Sequence, residues 1–324
     1  MKYYIFGGNG FVGRYLVNEL LTSGKEVVVC DLHEKLNDAI NIACQYCQTD
    51  IRNVDDIKKL PISSEDIVIN LAANQYHTKV AHNRNKYFFS VNTVGTENVL
   101  SVIYEKGCRN FLTFTTDMIY GKPLYLPVDI NHPQNPFGPY GQSKKAAEEI
   151  CKKYREKWMN ITIMRPRMIS GPGRLGILVK LFKLIDMGLP VPTIGNGKNH
   201  YQMVSVFDCV SAVICALNNG LPNKEYNLGS KISPNVKELL QSVITSAKSK
   251  SIIISTPSKL VKAVLQFFDF LGITIMYKEQ FMIADEEYIL DISQTQKDLN
   301  WTPKYNDADM IKEAYSWYSV NKKK

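Results

Sequence analysis

The sequence contains no run of about 20 apolar residues, so it offers no segment of the length that a membrane-spanning helix requires. Its first apolar stretch stops at Gly7, too soon for the apolar part of a secretory leader. Paired cysteine spacings are scarce as well. There are seven cysteines, an odd number, and the C-x-x-C of Cys44 and Cys47 has neither a second pair nor nearby histidines. A disulfide framework and a zinc site are both disfavoured, no metal is expected, and free thiols suit a reducing cytoplasm. Concentrated charge is also missing. The net charge of +8 is scattered, Lys322, Lys323 and Lys324 supply three of those charges, and no basic helix carries base-reading side chains. No nucleic-acid partner is expected, although a mild positive excess suits a protein that handles anionic nucleotides. Internal repeats and low-complexity tracts are not visible.

What is present is a globular composition. With 324 residues, 45% hydrophobic and 22% charged, the chain is long enough for one large domain or two lobes. Its most informative stretch is Tyr3–Gly13. Tyr3–Phe6 reads as a short apolar strand, and helical spacing starts at Phe11 and Val12. Gly7, Gly10 and Gly13 occupy the turn between them, where missing Cβ atoms let the backbone approach a diphosphate seated on the helix N-terminus. A second strand, Glu26–Cys30, ends at Asp31, about 20 residues on, a carboxylate that can accept from an adenosine ribose and would repel a 2′-phosphate. The cofactor is therefore expected to be NAD rather than NADP.

Further short apolar strands are expected at Gln45–Gln48, Asp66–Leu71, Asn110–Thr115 and Ile161–Arg165, alternating with helices that include Val91 to about Glu105 and Tyr140–Trp158. Such alternation predicts an α/β fold, a Rossmann-type doubly wound parallel sheet. Ligands then bind beyond the carboxyl ends of the strands, where the glycine turn, Asp31, Ala72-Ala73 and Thr115-Thr116 fall. Asp50 and the amide of Ile51 follow the third strand and could meet an adenine edge. After Arg165 the glycines and prolines multiply, which predicts a smaller mixed α/β substrate-binding lobe from residue 171 to 324, some of it returning to the domain of residues 1–170. Helices are expected near Ile177–Met187 and Asp208–Asn218. The apolar Lys259–Leu271 is interrupted by Lys262, Gln266 and Asp269 and reads as an amphipathic helix covering that lobe, with no membrane partner.

Tyr140 and Lys144 form a Y-x-x-x-K pair that a helix places on one face, about one turn apart. An ammonium held nearby favours phenolate and is expected to lower the Tyr140 pKa. Tyr140 would then exchange a proton with a substrate hydroxyl while hydride passes to or from the same carbon, and the hydroxyl of Thr116 could share that proton.

Taken together, Gly7 to Gly13, Asp50-Ile51-Arg52, Leu71-Ala72-Ala73, Val91-Asn92 with Gly95-Thr96, Thr115 to Gly121, Pro139 to Lys144, Arg165-Pro166, Leu299 to Pro303 and Trp317-Tyr318 resemble an extended short-chain dehydrogenase/reductase. The family is the NAD-dependent epimerase/dehydratase family, whose members act on nucleotide-activated sugars. The resemblance implies Thr116, Tyr140 and Lys144 as catalytic residues, Lys144 also holding the nicotinamide ribose. It also implies cofactor contacts at Leu71, Ala72, Ala73 and Asn92, and substrate contacts at Thr116, Asp117, Met118, Met168 and Tyr201. Sugar 4,6-dehydratases of the family carry Thr-Asp-Glu where this chain has Thr116-Asp117-Met118, so dehydration is disfavoured and Asp117 is left to orient a hydroxyl or cap a loop. Tyr201, Met168 and Asn70 also depart from family patterns and argue against a plain UDP-galactose 4-epimerase. Phosphate contact then falls to Arg174, or else to Lys180, Lys198 or His200.

The expected activity is oxidation and reduction at C4 of a nucleotide-diphosphate sugar, as a 4-epimerase. A 4-keto-sugar reductase is the alternative, and a non-catalytic dinucleotide-binding protein the alternative of another class. The helices from Val91 and from Tyr140 are long enough to pair with a second subunit in a homodimer.

Overall fold

Strands that are apolar without alternation belong in a sheet covered on both faces. Tyr3–Phe6, Val27–Asp31 and Ile67–Asn70 are buried at every position. In the computed structural model, which describes residues 1–76, 83–176 and 178–322, they form the centre of one sheet. The first half of the chain runs β1 (Tyr3–Phe6), α1 (Phe11–Thr22), β2 (Val27–Asp31), β3 (Gln45–Gln48), α2 (Val54–Lys58), β4 (Ile67–Asn70), α3 (Arg84–Phe89), a π-helical turn (Ser90–Gly95), α4 (Thr96–Glu105), β5 (Asn110–Phe114), α5 (Pro139–Arg155) and β6 (Asn160–Pro166). The second half runs β7 (Met168–Ser170), α6 (Leu178–Asp186), β8 (Val191–Ile194), β9 (Met203–Ser205), α7 (Val206–Asn218), β10 (Glu225–Leu228), α8 (Val236–Ser246), β11 (Ile253–Thr256), α9 (Ser258–Phe270), α10 (Lys278–Met282), α11 (Ser293–Leu299) and α12 (Asp307–Asn321). Ile177, where a helix was expected to begin, and Lys323 and Lys324 of the basic tail lie outside the described residues.

The sheet has seven strands in the order β3-β2-β1-β4-β5-β6-β10, and every pairing is parallel. The winding reverses between β1 and β4, which opens the crevice where such sheets take their ligands. Alternate residues of β1 divide the core. Tyr3 and Ile5 join Leu16, Val17 and Leu20 of α1 and Val213 of α7 on one face. Tyr4 and Phe6 join Val99 and Ile103 of α4 and Cys151 of α5 on the other. A third core, with Phe182 of α6, Val243 of α8 and Tyr315 of α12, belongs to the smaller lobe.

The chain does not leave the sheet at residue 170. Strand β10 adds to β6, and α7 packs against α1. The Leu299–Trp301 stretch returns too: Trp301 is 2% exposed, and its indole N–H donates to the Asp208 carbonyl (3.2 Å) and the Ser211 hydroxyl (2.9 Å) on α7. Helix α9 differs from expectation. It forms where predicted, but no residue of it is buried, so it covers the lobe only with a half-buried inner edge of Val261, Leu265 and Phe268.

Replacing Trp301 with alanine removes a large buried ring and leaves a cavity between α7 and the chain's return. We expect Trp301→Ala to lower the unfolding free energy by about 3–5 kcal/mol in urea melts.

Candidate active site

The glycine turn is shaped by close backbone approaches. Gly7 has φ of +75°, and a Cβ there would stand 2.6 Å from the Ala72 amide nitrogen. A Cβ on Gly13 would stand 2.4 Å from the Gly7 carbonyl oxygen, so α1 can start this close to β1 only with glycine there. The α1 N-cap is Gly10, which has no side chain to occupy the first-turn N–H groups at Phe11, Val12 and Gly13. Asp31, at the tip of β2, accepts from the Asn9 amide at 3.0 Å, which ties its carboxylate to the turn. An uncapped N-terminus with a carboxylate at the next strand end fits a dinucleotide, with the diphosphate on the turn and a ribose at Asp31.

Other residues predicted to meet the cofactor have mixed placements. Leu71 donates its amide to Phe6 (2.8 Å) and Ala72 donates to the Asn70 side chain (3.2 Å), so Leu71-Ala72-Ala73 runs directly past the glycine turn. Asp50 is different. Both its oxygens are taken by Arg52, with Nε at 2.9 and 3.0 Å and NH2 at 2.5 Å, and this fork holds its carboxyl below the usual range. The Ile51 side chain is buried in the core beneath Gly95, leaving only its backbone for an adenine. Asn92 acts as a clamp: its amide nitrogen donates to Ser143 of α5 (3.0 Å) and Asn74 (3.2 Å), and its oxygen accepts from the Asn74 amide (2.9 Å).

Beyond β5 the chain delivers Thr115 and Thr116, and α5, with proline in its first turn, faces them. Tyr140, Lys144 and Glu148 follow one another at four-residue intervals and share a buried face of α5. The Thr116 hydroxyl donates to Asp117 at 3.2 Å and accepts from the Met118 amide at 3.2 Å, and it is among the groups that act on the Tyr140 phenol. Lys144 donates to the Phe114 carbonyl at 2.9 Å. The expected lowering of the Tyr140 pKa is not found. Full burial pushes the phenol up to about 12, with Arg174 pulling against it, and Lys144 is not among the groups that act on it. Burial likewise drives Lys144 down to about 8, opposed by the negative charge of Glu148.

Asp117 is buried and ion-paired with Arg167 at 2.5 Å. Arg167 lies between the rings of Tyr288 (4.0 Å) and Tyr201 (4.2 Å), and the Tyr288 hydroxyl donates to the Asp117 carbonyl at 3.0 Å. Burial raises Asp117 and Arg167 opposes it. A guanidinium keeps its proton, and a neutral Asp117 would leave that cation buried without compensation, so the pair stays ionised. Met118 is half-buried and packs with Tyr140 and Phe88. Tyr201 therefore stacks on a buried arginine, and Met168, on β7, packs towards the core of the smaller lobe.

Arg174 reaches the crevice. Its guanidinium lies 5.8 Å from the centre of the Phe11 ring, hydrogen-bonds Gln75, and interacts electrostatically with Tyr140. The other phosphate candidates are elsewhere engaged or exposed: Lys180 donates to the Ile275 carbonyl (2.7 Å), His200 pairs with Glu287 (2.5 Å), and Lys198 is exposed. Among the described residues, no group of three or more His, Cys, Asp or Glu could hold a metal ion.

Several site residues gave no sequence signal. Glu279 of α10, 139 positions from Tyr140, accepts from the Tyr140 amide at 3.0 Å and so holds the start of α5. Tyr76, Phe88 and Tyr277 enclose the Tyr140 ring, with Tyr76 at 4.5 Å and Phe88 at 5.6 Å. Arg167 stands out only as the second arginine of Arg165-Pro166-Arg167.

With this sheet, turn and helix, the chain is an enzyme of the extended short-chain dehydrogenase/reductase class. More particularly, residues 3–229 match the NAD dependent epimerase/dehydratase family, and the chain belongs to it. It is 30% identical over 320 residues to protein y4nG of Sinorhizobium fredii, covering 98% of this chain and 78% of that one. It is also 30% identical over 252 residues to the N-acetyl-α-D-glucosaminyl-diphospho-ditrans,octacis-undecaprenol 4-epimerase of Escherichia coli O157:H7, covering 76% of this chain and 72% of that one. In fold it is similar to the UDP-glucose 4-epimerase of Thermotoga maritima solved with UDP-glucose, with a TM-score of 0.80, 20% identity and 99% of both chains covered.

The lowered Lys144 pKa gives a stability prediction with a definite sign. Below about pH 8 the folded chain carries a disfavoured buried ammonium. From there up to about 10.4, the unfolded chain holds a proton that the folded one lacks, so stability rises with pH. Urea melts of the protein without added NAD should show the wild type gaining stability relative to Lys144→Met between these values; a pH-independent difference would contradict the assignment.

Proposed function

We propose that this enzyme interconverts epimers at C4 of a nucleotide-diphosphate sugar through a transient 4-keto sugar. The observation that carries the reading is Asp117 locked to Arg167 beside the apolar Met118, with Thr116 near enough to the buried Tyr140 phenol to act on it. Elimination of water from the sugar needs an acid and a base next to the reacting carbons. An ionised, arginine-bound Asp117 cannot donate a proton, and Met118 has none to exchange, so chemistry is confined to proton and hydride transfer at one hydroxyl-bearing carbon.

The glycine turn and Asp31 would hold NAD, which would supply a hydride acceptor and donor for C4. Tyr140 holds the proton of the C4 hydroxyl, Thr116 shares it through its own hydroxyl, and the enclosing Tyr76, Phe88 and Tyr277 exclude water. A phenol pushed up to about 12 stays protonated at neutral pH, so further positive charge must enter the site before Tyr140 can take a proton from substrate, and Arg174 already acts in that direction. Arg174 is the proposed diphosphate contact. Phe11, Val12, Asp31 and the Leu71–Ala73 backbone form the proposed cofactor bed.

Asp31 favours NAD over NADP and with it a cycle that leaves the cofactor unchanged, which supports epimerase over 4-keto-sugar reductase. The E. coli relative is named for 4-epimerisation of a sugar on a polyprenol diphosphate, so both nucleotide and polyprenol carriers belong in the substrate panel. A homodimer through α4 and α5 fits Val94, 47% exposed in the π-helical turn that leads into α4.

Purified protein incubated with UDP and dTDP sugars and a polyprenol-linked sugar should interconvert a C4 pair with no added cofactor. Tyr140→Phe should lower the rate at least 100-fold while NAD binding persists, as expected on loss of a general acid–base group. Net consumption of NADH with a keto sugar would establish the reductase instead, and unchanged activity in Tyr140→Phe would remove the mechanism.

A further inference from the structure

Helix α9 is apolar on two sides. Its inner edge rests on β8 and α10, as described above. Its outer side carries Leu260, Val264, Phe267 and Leu271, exposed by 62%, 45%, 60% and 53% and spaced so that they form one stripe. Phe270 projects beside them at 86% exposure, and the following turn adds Ile273 at 54% and Ile275 at 39%. Single exposed apolar side chains are ordinary, but a continuous stripe flanked by a second exposed phenylalanine marks a surface that is covered in use.

The charges around the stripe indicate what covers it. Lys259 in the first turn of α9 and Lys278 just beyond it are exposed, and Lys180 stands beside Ile275. The acid within the helix, Asp269, is forked by Arg84 at 2.6 and 3.0 Å, so although Lys278 also acts on it, its charge is already answered within the fold. A second copy meeting this face about a two-fold axis would present the same lysines and, from α9, no unpaired carboxylate to answer them. An anionic lipid surface meets both features at once, taking the apolar stripe among its acyl chains and the ammonium groups among its headgroups. No helix among the described residues is long and apolar enough to cross a membrane, and the 13 residues of α9 suit a helix lying flat.

We propose that α9 docks this enzyme on an anionic lipid bilayer, with Leu260, Val264, Phe267, Phe270 and Leu271 inserted at the interface and Lys259 and Lys278 against the headgroups. The docked face adjoins the candidate active site. Asp269 at the end of α9 is tied to α3 through Arg84, and α10, packed against α9, supplies the Glu279 carboxylate that holds the Tyr140 amide. Docking therefore brings the catalytic helix close to the bilayer, whatever carrier the sugar has.

The test is co-sedimentation of the full chain with vesicles of phosphatidylcholine alone or with a third phosphatidylglycerol. The proposal expects binding at least tenfold stronger to the anionic vesicles, and that preference shrinking with added salt, because salt screens the attraction between lysines and headgroups. The exposed double variant Phe267→Ser/Phe270→Ser should lose at least tenfold in vesicle binding, and Lys259→Glu/Lys278→Glu should lose the preference for anionic lipid, with circular dichroism and sugar interconversion in solution unchanged in both. Absence of vesicle binding at low salt overturns the proposal, as does wild-type binding by the phenylalanine variant. Light scattering that shows a dimer broken by Phe267→Ser/Phe270→Ser, without vesicle binding, assigns the stripe to a second copy and also overturns it. None of these outcomes depends on which sugar the enzyme accepts.

Discussion

The ion pair between Glu148 and Arg165 fixes the geometry on which the candidate site depends. Glu148 is fully buried on α5 and is forked by Arg165 at 3.0 and 2.6 Å, while the Thr115 hydroxyl donates to it at 2.6 Å. Arg165 ends β6 and also donates to the Tyr120 hydroxyl at 2.9 Å. The pair thus joins α5 to the ends of β5 and β6 at one point and sets the height of the helix against the sheet. Tyr140 and Lys144 lie two turns and one turn nearer the helix start, and their positions follow. Loss of either partner would leave a buried uncompensated charge, at a cost of about 3–5 kcal/mol. The carboxylate also supports the ammonium of Lys144 against burial.

The other end of α5 is held by the smaller lobe. Glu279 accepts from the first-turn amide of Tyr140, where a negative charge suits the positive end of a helix dipole. Burial raises the Glu279 pKa, with that amide and Arg84 opposing the rise. Helix α5 is therefore pinned through its own Glu148 and through a carboxylate supplied from the second half of the chain. A change in how that lobe sits reaches the Tyr140 backbone through one hydrogen bond.

Much of this was legible in the sequence wherever the cause is local. The strands of the sheet were readable because four or five apolar residues without alternation demand cover on both faces, and the glycine turn because its spacing lies inside one strand–turn–helix unit. Contacts that depend on distant packing left no trace. Nothing near Asp117 indicates that Arg167, 50 residues away, neutralises it, and nothing near Tyr140 indicates Glu279. The sign of the Tyr140 shift was misread for a related reason: spacing places Lys144 on the same helix face, but only the fold reveals that its ammonium donates to the Phe114 carbonyl while the phenol is buried. The hydropathy of α9 was read correctly and its cover was not, because a one-dimensional pattern does not say which of two apolar edges meets the protein.

The central claim is that Tyr140 and Thr116 serve hydride transfer out of and back to the same carbon of a sugar. A nucleotide sugar carrying deuterium at C4 tests it most directly. The account predicts that the C4 epimer forms with its deuterium retained and that no reduced cofactor accumulates. Loss of the label to water, or a keto sugar building up in step with NADH, would contradict it.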